Sequence, residues 1–337
     1  MKGVLIVNLG TPDSPSTKDV KRYLGEFLMD KYVINLNYLS RLVLVKGIIL
    51  NTRPKHSAEA YQKVWTDEGS PLLFNSVKLA NKVKSKVDFP VELAMRYGTP
   101  NIKSGLQKLI DQKCDEILVF PLYPQYAMSS TMTVEEKVKE ELKKIDPTIK
   151  LSFIKSFYKN EGFIKGLAEK IKEDKEKSGA NYVLFSYHSL PVDHLALTGC
   201  DGECCSDKQS ENGLANLIEF SDNDCYKYHC LETTKAVVEY LGLKPNEFEI
   251  AYQSKLGRKE WLTPRTVNRL TDLAKEGKTK VLVTTPSFTS DCLETIEEIG
   301  MEGKHIFLEN GGEIFHRTEC LNDDDGFVET VIDLITK

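Results

Sequence analysis

Apolar and polar positions follow two alternating patterns along the chain. Short, almost unbroken apolar runs include Lys2-Gly-Val-Leu-Ile-Val-Asn8, Glu116-Ile-Leu-Val-Phe-Pro-Leu122, Asn181-Tyr-Val-Leu-Phe-Ser-Tyr-His188 and Thr279-Lys-Val-Leu-Val-Thr284. Between them lie longer stretches with apolar residues three and four apart. The runs read as strands buried on both faces of a parallel sheet, and the stretches as amphipathic helices. Strands are expected at 2–8, 91–95, 116–122 and 151–154, then at 182–187, 248–252, 280–284 and 306–308. Helices are expected near 19–29, 133–144, 161–176, 233–241 and 267–276. Strands alternating with helices define an α/β chain with right-handed crossovers. Four strands per half predict two similar Rossmann-like doubly wound domains, each with a four-stranded parallel sheet. The join near 147–159 sets the domains at 1–155 and 156–337, with the last helix able to pack back on the first.

In open α/β sheets ligands bind beyond the carboxyl ends of the strands, and here also in the cleft expected between the domains. His188 closes the run at 181–188, where an imidazole can bind a metal or take up a proton near neutrality. After the run at 279–284 come Asp291, Glu294 and Glu298, whose spacing of three and four places them on one helical face. Such carboxylates serve the helix dipole, or conduct protons or a divalent cation. With one imidazole they suit transient handling of Fe2+. Arg53, Tyr61, Arg96, Tyr97, Tyr123, Tyr126 and Trp261 recur at loop and strand-end positions. Together they suit a flat apolar ligand with carboxylate tails held by arginine. The stretch 32–50 is unusually apolar and reads either as a core helix or as an exposed lip for a greasy substrate or a membrane surface. The glycine-rich phosphate fingerprint is absent after the first strand, so nucleotide binding has little support.

Composition narrows the class. Of 337 residues, 41% are hydrophobic and 28% charged, as in an ordinary globular protein, and the net charge of -5 argues against a general nucleic-acid binder. The N-terminus enters a strand with no signal-peptide layout, and no run of 18 apolar residues occurs, so a cytoplasmic protein is expected, with peripheral membrane contact through the lip. Nothing in the sequence sets an oligomeric state. Five of the eight cysteines, Cys200, Cys204, Cys205, Cys225 and Cys230, fall in one long segment between 195 and 230. In a reducing compartment that density means metal rather than disulfides, and the spacing suits zinc or an iron–sulfur centre equally.

The motifs taken together resemble those of the ferrochelatase family, enzymes that insert ferrous iron into a porphyrin. The likeness runs from Val4-Leu-Ile-Val-Asn-Leu-Gly-Thr-Pro12 through Val64-Trp-Thr-Asp-Glu-Gly-Ser-Pro-Leu72, Arg96-Tyr97 and Tyr123-Pro-Gln-Tyr126. It continues in Phe185-Ser-Tyr-His-Ser-Leu-Pro191, Tyr252-Gln-Ser-Lys-Leu-Gly257, Trp261-Leu262 and Phe288-Thr-Ser-Asp-Cys-Leu-Glu-Thr295, in family order over nearly the whole chain. The resemblance implies that His188 is catalytic and paired with Glu294, with Asp291 and Glu298 on an acidic path. It implies porphyrin contacts at Arg53, Tyr61 and Ser70, matches Tyr226 to a tyrosine of the loop after the histidine, and favours the lip reading of 32–50. Protoporphyrin IX and Fe2+ are the implied substrates and heme the product. Cys292 stands where the family often has a histidine. The internal cysteines resemble those of a bacterial subclass with a [2Fe–2S] centre, with Cys200, Cys205, Cys225 and Cys230 as ligands and Cys204 in reserve. Two other readings remain open on this fold: a cobalt chelatase of corrin synthesis, and a heme- or redox-sensing protein.

Overall fold

The apolar runs become strands because their Val, Ile, Leu and Phe side chains are covered from both faces by amphipathic helices. The computed structural model describes residues 1–198, 200, 224–257 and 259–337. Two four-stranded, wholly parallel sheets result. The first contains β1 (Lys2–Thr11), β2 (Val91–Gly98), β3 (Glu116–Pro121) and β4 (Lys150–Phe153) in the order β2-β1-β3-β4. The second contains β5 (Tyr182–His188), β6 (Phe248–Gln253), β7 (Lys280–Thr284) and β8 (Ile314–Arg317) in the order β6-β5-β7-β8. This is the α/β architecture that the alternating pattern implies.

The chain divides into two compact units. One comprises 1–123, 128–156 and 322–337, and the other 124–127 and 157–321. The terminal helix Asp325–Thr336 therefore belongs with the first unit, where the Lys2 ammonium donates to the Ile335 carbonyl at 2.7 Å. In that unit Leu5, Val7, Ala94, Ile117 and Val119 of the sheet pack on Leu106 and Leu109 of helix Ile102–Asp111 and on Val134 and Val138 of helix Thr133–Ile145. Gly10, at φ 108°, lets β1 run against β2 where a Cβ would meet the Tyr97 carbonyl oxygen at 1.8 Å. In the second unit Leu184, Ala251, Val281 and Val283 pack on Leu270, Leu273, Ile299 and Phe307.

The last strand departs from the sequence reading. Residues 306–308 lie in helix Lys304–Glu309, and the edge strand is Ile314–Arg317. A three-residue apolar run does not distinguish a helical turn from a strand, and the true edge strand is half-buried throughout, so it lacks the apolar signature of a central strand. The helix expected from 233 starts earlier, at Tyr226, and so includes Cys230.

A larger departure concerns the acidic row. Glu294–Gly303 is a ten-residue π-helix, not an α-helix. Such helices are rare and cluster at functional sites, and their i→i+5 bonding widens each turn. Glu294, Glu298 and Glu302 follow one another along it, whereas Asp291 lies before its start.

Candidate active site

In the second sheet the connection from β5 leads to one side, to β6, and that from β7 to the other, to β8. Their carboxyl ends therefore flank the topological switch point. His188 is the last residue of β5, and Ser287 follows β7. The His188 amide donates to Ser287 Oγ at 3.4 Å, joining the two strand ends. The His188 ring is half-buried and lies beside Phe288, with centroids 6.2 Å apart. Its Nδ1 is 2.6 Å from the Ser189 carbonyl oxygen. A carbonyl only accepts, so Nδ1 carries the proton and Nε2 keeps its lone pair. Burial holds the imidazole below its ordinary pKa, opposed by the nearby Glu294 carboxylate and by the Ser189 carbonyl. His188 is thus a neutral base presented at a strand end.

Gln253 sets where Glu294 stands. It pairs with His188 in register across β5 and β6, and its amide donates to the Glu294 carbonyl oxygen at 3.2 Å. The Ser186 hydroxyl in turn donates to the Gln253 side-chain oxygen at 2.8 Å. The first turn of the π-helix is therefore tied to the strand pair that carries the histidine. Beyond it, the Glu298 carboxylate accepts from the Ser254 amide at 2.8 Å and also from the Ser254 hydroxyl. Burial raises the Glu298 pKa to about 7; the Ser254 hydrogen bonds oppose this, while the Glu294 and Glu302 charges reinforce it. Glu302 is exposed. A half-buried imidazole is thereby followed by three carboxylates that end in solvent, the middle one poised to exchange a proton near neutrality.

Raising a folded-state carboxyl pKa favours its protonated form, so the associated stability is greatest at low pH and falls as pH rises through about 7. Glu298→Gln is therefore expected to match the wild-type thermal midpoint in acid and exceed it above pH about 8. The shift from 4.5 to about 7 sets the gain at up to about 3 kcal/mol. A midpoint lowered at every pH would show that the carboxylate is needed structurally.

The structure places the remaining predicted residues variously. Asp291 is held by Arg317, by the Thr295 hydroxyl at 2.9 Å and by the Cys320 amide at 3.3 Å, with its side chain 7% exposed. Arg317 passes close over Gly300, where a Cβ would meet its Cδ and Nε at 3.2 Å. Asp291 is thus paired with a cation and precedes the π-helix that carries Glu294, Glu298 and Glu302. The Cys292 thiol is buried, and burial together with the nearby Glu294 carboxylate pushes its pKa well upward. Tyr226 is buried, its hydroxyl donating to the His188 carbonyl oxygen at 2.8 Å and lying 2.8 Å from Ser287 Oγ. Trp261 lines a small cavity with Ser189, Tyr252, Ser254, Lys255 and Arg265, and its buried indole N–H has no acceptor among the described residues.

In the first unit Arg53 is exposed at the junction leading into helix Pro54–Val64, Tyr61 is buried on that helix with its ring edge-on to Tyr23, and Ser70 is buried at the N-cap position of helix Pro71–Lys84 without a side-chain capping bond. Arg96 and Tyr97 are committed to Asp30. Arg96 pairs with its carboxylate, the Tyr97 hydroxyl donates to it at 2.8 Å and Thr133 Oγ1 at 2.5 Å, with Asp30 and Arg96 side chains 5% and 10% exposed. Removing Asp30 would strand a buried guanidinium, so Asp30→Ala is expected to cost about 3–5 kcal/mol. A urea midpoint unchanged from wild type would refute this. The Tyr123 hydroxyl is buried and has no hydrogen-bond partner among the described residues, and burial pushes its pKa upward.

Among the cysteines, Cys225 and Cys230 are fully buried at the start of helix Tyr226–Leu241, and Cys200 packs against the cluster of Cys225, Tyr158 and Tyr228. Cys204 and Cys205 lie outside the described residues. Among the described residues no group of three or more His, Cys, Asp or Glu is disposed to hold a metal. The stretch 32–50 is no core helix: Tyr38, Leu39, Val43 and Ile48 are between 56% and 71% exposed. Among the described residues, no helix is long and apolar enough to cross a membrane. Sequence reasoning missed Gln253, Ser254, Ser287, Glu302 and Arg317. Gln253 ends β6, Ser254 follows it and Ser287 comes shortly after β7, and a place at the carboxyl end of a strand is the signal that could have found them.

The two parallel sheets, each in a doubly wound order, define an α/β fold of the Rossmann-like class. The fold is shared with SirB of Bacillus subtilis, solved with Fe3+, at a TM-score of 0.56 and 12% identity, covering 99% of this chain and 94% of that one. The sirohydrochlorin chelatase SirB of Bacillus subtilis subspecies spizizenii in complex with cobalt gives 0.55 and 11%, covering 98% and 92%. The chain belongs to the ferrochelatase family, whose model matches residues 1–337. It is 38% identical over 335 residues to a ferrochelatase of Vibrio parahaemolyticus, covering 99% of this chain and 97% of that one. It is 40% identical over 331 residues to one of Ectopseudomonas mendocina, covering 96% and 94%. A coproporphyrin III ferrochelatase of Lactococcus lactis is 38% identical over 337 residues, covering 100% and 96%. These matches favour iron insertion over the cobalt-chelatase and sensor readings.

Proposed function

We propose that the protein inserts Fe2+ into protoporphyrin IX, with His188 as the base that takes the pyrrole protons. The carrying observation is the His188 ring, its Nδ1 proton fixed on the Ser189 carbonyl and its Nε2 lone pair free beside Glu294. Metal insertion exchanges one Fe2+ for two pyrrole protons, so the site must lose protons faster than it regains them. Nε2 accepts a proton, Glu294 receives it, and Glu298 and exposed Glu302 pass it to water. Glu294 and Glu298 are also hard oxygen donors of the kind that handle ferrous iron in transit. The family resemblance suggests Arg53, Tyr61 and Ser70 as porphyrin contacts, and the small cavity of Trp261, Lys255 and Arg265 suits a carboxylate tail. Asp30 fixes Arg96 and Tyr97 as positioning residues, and Asp291 does the same for Arg317.

The exposed apolar residues of 38–48 favour protoporphyrin IX, whose vinyl groups replace two of the carboxylate tails of coproporphyrin III, and the same surface suits contact with a membrane. The buried pair Cys225 and Cys230, with Cys200 packed nearby, offers the soft thiolate donors that a [2Fe–2S] centre takes, with Cys205 as the fourth ligand. Such a centre, when bound, supplies one-electron chemistry and a covalent tie for the segment.

The test is anaerobic turnover of Fe2+ with each porphyrin. A higher kcat/KM for protoporphyrin IX is expected. Equal or better use of coproporphyrin III would overturn the substrate, and heme formation with neither would overturn the reading as a whole.

A further inference from the structure

Along a β-strand successive side chains point to opposite faces, so two neighbouring residues do not both reach one helix. Gln253 and Ser254 do. Gln253 ends β6, and its side-chain amide donates to the Glu294 carbonyl oxygen at 3.2 Å. Its side-chain oxygen is locked in turn by Ser186, whose hydroxyl lies 2.7 Å from Thr266 Oγ1, and all three residues are buried. Ser254 has φ 60°, in the left-handed region where residues other than glycine are uncommon. From there its amide donates to Glu298 Oε1 at 2.8 Å and its hydroxyl to Glu298 Oε2. The backbone turn at Ser254 thus aims both residues at the π-helix, at positions one four-residue step apart. That step discriminates between two windings. It overshoots one turn of an α-helix and falls short of one turn of a π-helix. Relative to Glu294, Glu298 is therefore rotated one way about the axis in the α form and the other way in the π form.

We propose that Ser254, through its left-handed backbone, is the positioning residue that holds Glu294–Gly303 in the π winding and so sets the row of Glu294, Glu298 and Glu302. Gln253 fixes the row at its first member and Ser254 at its second, and one winding satisfies both grips at once. A residue other than glycine in the left-handed region costs free energy and persists where its surroundings fix it. Here the two bonds to the Glu298 carboxylate do so. An extended residue at 254 would turn the amide and the hydroxyl off Glu298 together and leave the helix held at Glu294 alone, free to relax towards the commoner α bonding. Ser254 reaches the reaction only through Glu298, so it positions and does not itself react. The inference rests on the proposed function only in giving the acidic row a part in turnover.

The test is amide hydrogen exchange of the full chain, read on peptides covering 294–303 and, as a reference, on those covering the strands of the second sheet. Ser254→Asn tolerates positive φ and keeps a side-chain donor, and is expected to match wild type. Ser254→Val, whose branched side chain opposes that backbone, is expected to exchange about 10-fold faster over 294–303 with the reference peptides unchanged. A crystal structure of Ser254→Val is expected to show i→i+4 bonding after Glu294. If that variant fails to fold, Ser254→Gly and Ser254→Ala carry the test. Both lack the hydroxyl, but glycine adopts positive φ freely and alanine does not, so glycine should protect 294–303 better than alanine. The inference is overturned if Ser254→Val protects 294–303 as wild type does or keeps i→i+5 bonding, or if alanine protects as well as glycine. A loss of protection spread evenly over the reference peptides also overturns it, by making Ser254 a general support of the fold. In anaerobic turnover Ser254→Ala should lower kcat with porphyrin KM unchanged, whereas a raised KM at full kcat would make Ser254 a porphyrin contact and overturn the positioning role. The exchange measurement needs no turnover, so a chain that shows the expected exchange pattern and makes no heme condemns the proposed function alone.

Discussion

His188→Ala is expected to lower kcat for metal insertion by about 10²–10⁴-fold, the usual contribution of a positioned general base, while porphyrin affinity stays within a few-fold of wild type. The two halves of that expectation have separate causes. The ring supplies a nitrogen lone pair held at this strand end, so its loss removes that proton acceptor. The main chain around it is anchored independently of the ring, by the His188 amide on Ser287, the Tyr226 hydroxyl on the His188 carbonyl and the Ser189 amide on Gln253. A small side chain should therefore leave the site folded. Porphyrin fluorescence quenching gives the affinity and anaerobic initial rates give kcat. A variant that turns over like wild type would remove His188 from the mechanism. A variant that neither binds nor turns over would make it a porphyrin contact rather than a base.

The strands and the histidine were legible in the sequence because burial on both faces forces continuous apolar runs, and the polar tip at Ser186–His188 breaks the longest of them. The edge strand Ile314–Arg317 was not, since half-burial dilutes that signature. The carboxylates were legible as a group but not in their arrangement. Spacing of three and four assumes α-helical turns, and the π-helix moves the row to Glu294, Glu298 and Glu302 and leaves Asp291 outside it. No periodicity reveals that Asp291 meets Arg317 from 26 residues away. The same limit applies to Arg96. A cation at a strand end suggests a carboxylate ligand, but its partner Asp30, separated from it by 66 residues, comes from the same chain. Long-range pairing consumes candidate residues, and it is invisible until the strands are registered.

Glu294→Gln is the second large effect. It keeps the size of the side chain and the bond from Gln253, which goes to the main-chain oxygen, and removes only the charge and the capacity to take a proton. Two consequences follow, with different readouts. The relay between His188 and Glu298 is cut, so kcat is expected to fall by about 10²-fold, within the range of a proton-transfer group. The Glu294 charge also raises the His188 pKa against the effect of burial. Without that charge the imidazole becomes harder to protonate, so the acidic limb of the pH–rate profile, where a protonated His188 cannot act as base, should move to lower pH. Glu298→Gln separates the two effects: it interrupts the later part of the path and leaves the charge beside His188 in place, so it should lower the rate less and leave the acidic limb where it is. If Glu294→Gln lowers the rate without moving that limb, His188 is not the group titrating in turnover, and Glu294 acts on the metal rather than on the proton. If the limb moves and the rate holds, protons leave the site by a route other than the π-helix.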